Sequence, residues 1–153
     1  MYYCLDNLDD ALELWNKIAE EECIEYLLYE LFKTGFGFQP GEKTRQLFKQ
    51  LLRDFSVAQI YGIIYRSVAN ASKYYMQQGV TKKRAANSVI GRCRRYAEKA
   101  IFKDWELTQF VRRKDLPQSE LSAFYFNRVL RIGEKGFQEK PSIHLLQKDN
   151  IEE

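Results

Sequence analysis

A row of basic side chains in the middle of the chain has the spacing of one helical face. The row, here called the basic row, contains the basic residues Arg84, Arg92, Arg95 and Lys99 together with the neutral Ser88. Lys82 and Lys83 precede it. Steps of three and four residues bring these side chains to one side of an α-helix, where like charges repel by a few tenths of a kcal/mol per pair. The planar guanidinium group suits phosphate or carboxylate recognition. The basic row therefore indicates a surface for an anionic partner, and the alternative is an ordinary solvated helix face.

A second basic cluster, Arg112 and Arg113, follows an aromatic stretch that contains Trp105 and Phe110. Interleaved basic and aromatic residues can hold a nucleic-acid strand, with the charges on phosphates and the rings on bases. The favoured alternative is a loop with Trp105 tucked into the core. The candidate phosphate-binding residues are Lys82, Lys83, Arg84, Arg92, Arg95, Lys99, Arg112 and Arg113.

Residues with the spacing of a catalytic or metal site are not found. The single histidine, His144, lies in a weakly patterned C-terminal segment, and the three cysteines are far apart in sequence and form no C-x-x-C pair. The glycine-rich segment 35–41 lacks the Gly-Lys-Ser/Thr ending of a phosphate-binding loop. The acidic residues within the basic region are Glu98, Asp104, Glu106 and Asp115. Salt bridging is their favoured interpretation, and a general acid–base carboxylate pair is the alternative. We therefore expect no enzymatic activity, no cofactor and no bound metal.

Charge is distributed unevenly along the 153 residues, although the net charge is only +3. Residues 1–54 contain 6 Lys+Arg against 11 Asp+Glu, a net charge of −5, whereas residues 55–115 contain 13 against 4, a net charge of +9. A strongly basic block is typical of a surface that attracts a polyanion. The same distribution would arise if the acidic N-terminal helix lay against the basic helix, within one subunit or between subunits.

Composition indicates a globular chain, with 45% hydrophobic and 29% charged residues. No apolar run approaches the roughly 18 residues of a membrane span, and the N-terminus lacks the pattern of a secretory signal. Three scattered cysteines are typical of a reducing compartment. We predict a cytoplasmic protein without membrane association.

Hydrophobic periodicity predicts an all-α fold, a single-domain bundle of about five helices. The predicted helices cover residues 8–33, 42–54, 56–78, 81–103 and 117–132, with an irregular connection over 104–116. Ser56 and Gln59 have the spacing of a capping box, and Gly79 and Thr81 predict a tight turn between the two central helices. Glu20–Glu22 are expected on an exposed helix surface. Residues 1–137 are predicted to form the domain, and residues 138–153 a polar, flexible tail.

Two functional hypotheses follow. The first is a nucleic-acid-associated module that binds phosphates through the basic face of the 81–103 helix. The second is a helical protein that self-associates or binds a protein partner, with the acidic and basic segments paired across the interface. The sequence does not distinguish DNA from RNA and does not define an oligomeric state.

Overall fold

Four helices account for most of the chain, and shorter helical segments follow them. A computed structural model describes residues 7–151, with side chains described for residues 7–147. The helices are α1 (Leu8–Lys33), α2 (Glu42–Leu51), α3 (Val57–Gln78), α4 (Lys82–Phe102), α5 (Glu120–Phe124), α6 (Lys135–Gln138) and α7 (Ile143–Ile151), and a π-helical segment (Tyr125–Val129) continues α5. Because these described residues include no strand, the predicted single-domain all-α fold is confirmed.

Local side-chain chemistry fixes the start of α3 and the junction between α3 and α4. Ser56 and Gln59 form the predicted capping box, in which each side chain accepts a hydrogen bond from the other residue's backbone N–H, at 3.2 and 3.0 Å. Gly79 ends α3 with a φ of +64°, a conformation that costs other residues roughly 1 kcal/mol or more. Thr81 then caps α4 by accepting a hydrogen bond from the backbone N–H of Arg84 at 3.1 Å. The tight turn makes α3 and α4 neighbours.

The core lies around α3, which packs against α4 on one side and against α1 on the other. The buried residues of α4 are Ala85, Ala86, Val89, Cys93, Ala97 and Ala100. Small side chains in this stripe allow close approach of the two helix axes. On the other side, α3 packs against α1, and the rings of Tyr26 and Tyr61 stack with centroids 3.9 Å apart. The helix α4 is therefore anchored by one face, which leaves its opposite face for solvent or a partner.

Two of the predicted helices differ in extent from the structure. The 42–54 helix ends at Leu51 and is followed by a turn that the backbone N–H of Phe55 closes on the Leu51 carbonyl at 2.8 Å. The 117–132 helix begins only at Glu120, because Ser119 provides the N-cap through a 3.1 Å hydrogen bond from the Ser122 N–H. It then widens into a π-helical turn over Tyr125–Val129.

The C-terminal segment contains more helix than its polar composition indicates. The structure places Ile143–Ile151 in α7, whose Leu146 is buried, and α7 packs against α1. The predicted flexible tail therefore includes a helix with an apolar anchor. The boundary at residue 137 stays a prediction, and residues 1–6 and 152–153 lie outside the described part of the chain.

Buried thiol and phenol groups predict a loss of stability in alkali. Burial raises the pKa of Cys93 from 9.0 to about 11, and burial raises the pKa of Tyr125 from 10.0 to about 12. Both groups ionise at lower pH in the unfolded chain. Their contribution to the free energy of unfolding is therefore complete below pH 9 and is lost as pH rises through the folded pKa values. We expect the urea midpoint to fall between pH 9 and pH 12, less steeply in Cys93→Ala. A midpoint that is constant over this range would contradict the prediction.

Candidate nucleic-acid interface

The first turn of α4 has three exposed cations and no acidic residue. Lys82, Lys83 and Arg84 are all exposed to solvent. The free N–H groups at a helix N-terminus already have partial positive charge. These cations therefore raise the local positive potential instead of compensating it, and an anionic ligand at this end of α4 would relieve the repulsion.

Further along α4, Arg92 is held in place by neutral groups. Its Nε donates to Ser88 Oγ at 3.1 Å, and its guanidinium carbon lies 5.0 Å from the centre of the Tyr74 ring on α3. Arg95 and Lys99 are exposed. Among residues 7–147, no carboxylate oxygen lies within 4.0 Å of the charged nitrogen atoms of the predicted α4 cations. Neutral groups thus position Arg92, and the described residues do not neutralise the basic row.

The acidic helix α1 makes its ion pairs elsewhere. The pairs are Glu13 with Lys17, Glu30 with Lys33, Glu20 and Glu21 with Arg45, and Glu22 with Arg112. None of these partners belongs to α4. Within one subunit, and for the described residues, the acidic helix therefore does not neutralise the basic row.

A second line of polar side chains on α3 runs beside the basic row. Arg66, Asn70 and Lys73 recur at steps of four and three residues, and all three are exposed. The guanidinium carbon of Arg66 lies 5.7 Å from the centre of the Tyr96 ring on α4. Tyr96 itself lies between Arg92 and Lys99 on the surface of α4, at spacings that make helix neighbours. The α3 and α4 cations therefore share one surface, and sequence reasoning missed the α3 contribution.

An open groove of about 600 Å³ lies on this surface, between α3 and the segment that follows α4. It is here called the aromatic groove. Its lining includes Tyr65, Arg66, Asn70, Lys73, Tyr96, Trp105, Glu106, Thr108 and Phe110. The rings form two pairs, Tyr96 with Trp105 at 5.8 Å and Tyr65 with Phe110 at 5.7 Å between centroids. The groove thus combines aromatic walls with two cations.

The turn at the C-terminal end of α4 positions Trp105 beside the groove. The backbone N–H of Trp105 bonds the Ala100 carbonyl at 2.9 Å, and that of Asp104 bonds the Ile101 carbonyl at 3.2 Å. With Asp104 at a φ of +53°, this is the double hydrogen bond of a Schellman helix end. The expected tuck of Trp105 into the core is wrong, because 42% of the residue is exposed. The turn reverses the chain and leaves the indole on the groove wall.

Phe110 is fixed at the other end of the groove by contact with α3. Its backbone N–H bonds the Ala58 carbonyl at 3.1 Å. A Cβ atom added at Gly62 would lie 3.2 Å from the Phe110 ring, closer than a comfortable van der Waals contact. The absence of a side chain at Gly62 therefore lets the ring lie close to the helix backbone.

Arg112 does not belong to the interface. Its guanidinium group makes two hydrogen bonds to the Glu22 carboxylate, at 3.1 and 3.4 Å, and lies 4.3 Å from the centre of the Phe137 ring. The hydroxyl of Ser122 also donates to Glu22. The expectation that Glu20–Glu22 are exposed is wrong for Glu20 and Glu22, which are buried because Arg45 and Arg112 pair with them.

Arg113 is exposed but is not free of acidic contacts. Its Nε lies 3.7 Å from a carboxylate oxygen of Asp115, and its guanidinium group lies 6.0 Å from the centre of the Tyr29 ring. A hydrogen bond from the Tyr29 hydroxyl lowers the pKa of Asp115. Arg113 therefore lies beside a carboxylate that would oppose phosphate binding. The six predicted cations on α4 are the coherent part of the predicted site.

Other candidate chemistry is not brought together by the fold. His144 is exposed on α7, whereas Cys23 and Cys93 are buried, and burial raises the pKa of both thiols. In the described part of the chain, no three His, Cys, Asp or Glu side chains converge as ligands for a metal ion. Across residues 7–151, no helix combines the length and the hydropathy that crossing a membrane requires.

Comparisons with known proteins give no family to which the chain can be assigned. Neither a protein-family model, nor a curated protein sequence, nor a solved structure matches this chain.

Proposed function

We propose that the chain is a nucleic-acid-associated module that binds phosphates through the basic face of α4. The observation that supports this most strongly is the unneutralised basic row. The three arginines and Lys99 of this row, and Lys82 and Lys83 before it, lack carboxylate partners among residues 7–147. Sequence-independent binding to phosphates depends on such cations, which release condensed counterions when they bind.

The dimensions of the basic row suit a nucleic-acid backbone. Lys99 follows Arg84 by 15 residues, which corresponds to about 22 Å along the helix axis. That length corresponds to roughly six base-pair steps of a duplex, at a rise of 3.4 Å along the duplex axis. Arg66 and Lys73 of α3 widen the positive surface. The side chains can therefore follow several successive phosphates instead of gripping one anion.

The alternative function is self-association or binding of a protein partner through paired acidic and basic segments. Size-exclusion chromatography with light scattering and absorbance at 260 nm, at low and high salt, distinguishes the two. The proposal predicts that nucleic acid added at low salt elutes with the protein and separates from it at high salt. A dimer that dissociates in salt and excludes nucleic acid would instead support the alternative.

A further inference from the structure

Phosphate binding alone does not account for the aromatic groove. Two of its large aromatic residues are exposed to solvent, Tyr65 at 46% and Trp105 at 42% of their surface. Exposed aromatic rings of this size are costly in water and are typical of contact surfaces. The volume of about 600 Å³ lies within the range of small-ligand sites. A flat aromatic ligand is therefore the natural occupant.

The positions of the rings favour a stacked ligand. Tyr96 and Trp105 form one wall and Tyr65 and Phe110 another, and both pairs are tilted instead of closed into a parallel stack. Cations lie over both rings of the first wall, with the Arg66 guanidinium carbon 5.7 Å from the Tyr96 centre and Lys103 Nζ 5.4 Å from the Trp105 centre. A stacked base would displace these exposed side chains. Stacking on protein aromatic rings is the usual way in which unpaired bases are bound without sequence preference.

The polar groups of the groove match the outline of a nucleotide. Asn70 and Thr108 provide an amide and a hydroxyl for hydrogen bonds to a base edge. Arg66 and Lys73 provide positive charge for the adjoining phosphates. Glu106 also lines the groove, and its carboxylate would repel a phosphate while accepting a hydrogen bond from a base amino group. The groove lining therefore offers hydrogen-bonding groups for a base and cations for the adjoining phosphates.

The geometry points to the aromatic groove as a binding site for unpaired bases of a single-stranded nucleic acid, whose backbone continues along the basic row. This inference rests on the proposed function and adds a strand preference to it. Duplex bases are already stacked on each other, so a duplex can reach the cations but not the rings. An acidic polypeptide would satisfy the charges and leave the rings empty.

Tryptophan fluorescence tests the inference directly because the chain has only two tryptophans. Trp15 is fully buried, whereas Trp105 lies on the groove wall. Oligodeoxythymidylate is expected to quench Trp105 emission on binding, whereas a duplex of equal length or polyglutamate is not. In Trp105→Phe the remaining emission, from Trp15, should not respond to the oligonucleotide.

Affinity measurements on variants complete the test. Trp105→Ala and Tyr65→Ala are each expected to weaken oligodeoxythymidylate binding roughly tenfold or more and to leave duplex binding unchanged. Phe102→Ala is the matched control, because this exposed aromatic residue at the end of α4 does not line the groove. Circular dichroism and duplex affinity establish that each variant is folded.

The outcomes separate the inference from the proposed function. Binding of both nucleic acids with equal affinity, or single-strand binding that neither quenches Trp105 nor weakens in the alanine variants, would overturn the inference alone. Polyglutamate that quenches Trp105 as strongly as the oligonucleotide would do the same. Failure to bind any nucleic acid would overturn the proposed function and the inference together.

Discussion

Arg112→Ala is expected to destabilise the protein by about 3 kcal/mol, which is the lower part of the range for breaking a buried ion pair. Only 16% of the Arg112 side chain is exposed, and the substitution leaves the buried Glu22 carboxylate without its charged partner. Contact with the Phe137 ring is also lost. With a slope near 2 kcal/mol per molar urea, the unfolding midpoint should fall by about 1.5 M.

The neighbouring arginine is the matched control for this prediction. Arg113→Ala removes the same charge one residue later, but its ion pair with Asp115 is exposed, so we expect a much smaller fall in the urea midpoint. Combining Arg112→Leu with Glu22→Leu should lose less stability than Arg112→Ala, because no buried charge is left unpaired. Equal midpoints for the two single variants would contradict the assignment of Arg112 to the core.

Replacing Arg92, Arg95 and Lys99 together with glutamine is expected to weaken nucleic-acid binding roughly 100-fold at about 150 mM salt. Each lost phosphate contact contributes a slope near 0.9 in the salt dependence, which corresponds to about fivefold in affinity at that salt concentration. Glutamine keeps the length and helix propensity of the side chains. Fluorescence anisotropy with a labelled oligonucleotide measures the change.

The control removes three charges from other parts of the surface. Lys17, Lys135 and Lys140 are exposed and belong neither to α3 nor to α4. Their joint replacement by glutamine lowers the net charge equally but should reduce affinity by only a small factor, through the weaker long-range field. If both triple variants lost affinity equally, net charge and not the basic face of α4 would be responsible.

The parts of the fold that follow from local patterns are predictable from the sequence. Asn7, Ser56 and Thr81 each cap a helix through a backbone group three residues away, so the signal is complete within a few residues. Gly79 supplies the left-handed turn by its own conformational freedom. The bounds of α1, α3 and α4 therefore agree with the hydrophobic period to within one residue.

The candidate site was only partly predictable, because it depends on contacts distant in sequence. Arg112 and Arg113 are equivalent in pattern, but Glu22, 90 residues earlier, places one of them in the core. The basic row follows from helical spacing alone. The aromatic groove joins Tyr65 of α3, Tyr96 of α4 and Trp105 of the following segment, and no local pattern links these rings.

The salt dependence of nucleic-acid affinity tests the central claim, that the cations on the outer face of α4 bind phosphates. Affinity is measured between about 50 and 200 mM salt for the unmodified chain and for the glutamine triple variant. For a duplex, we predict a slope of log affinity against log salt near −5 for six phosphate contacts, reduced by about three units in the variant. An affinity that does not change with salt, or the same slope for both proteins, would contradict the claim.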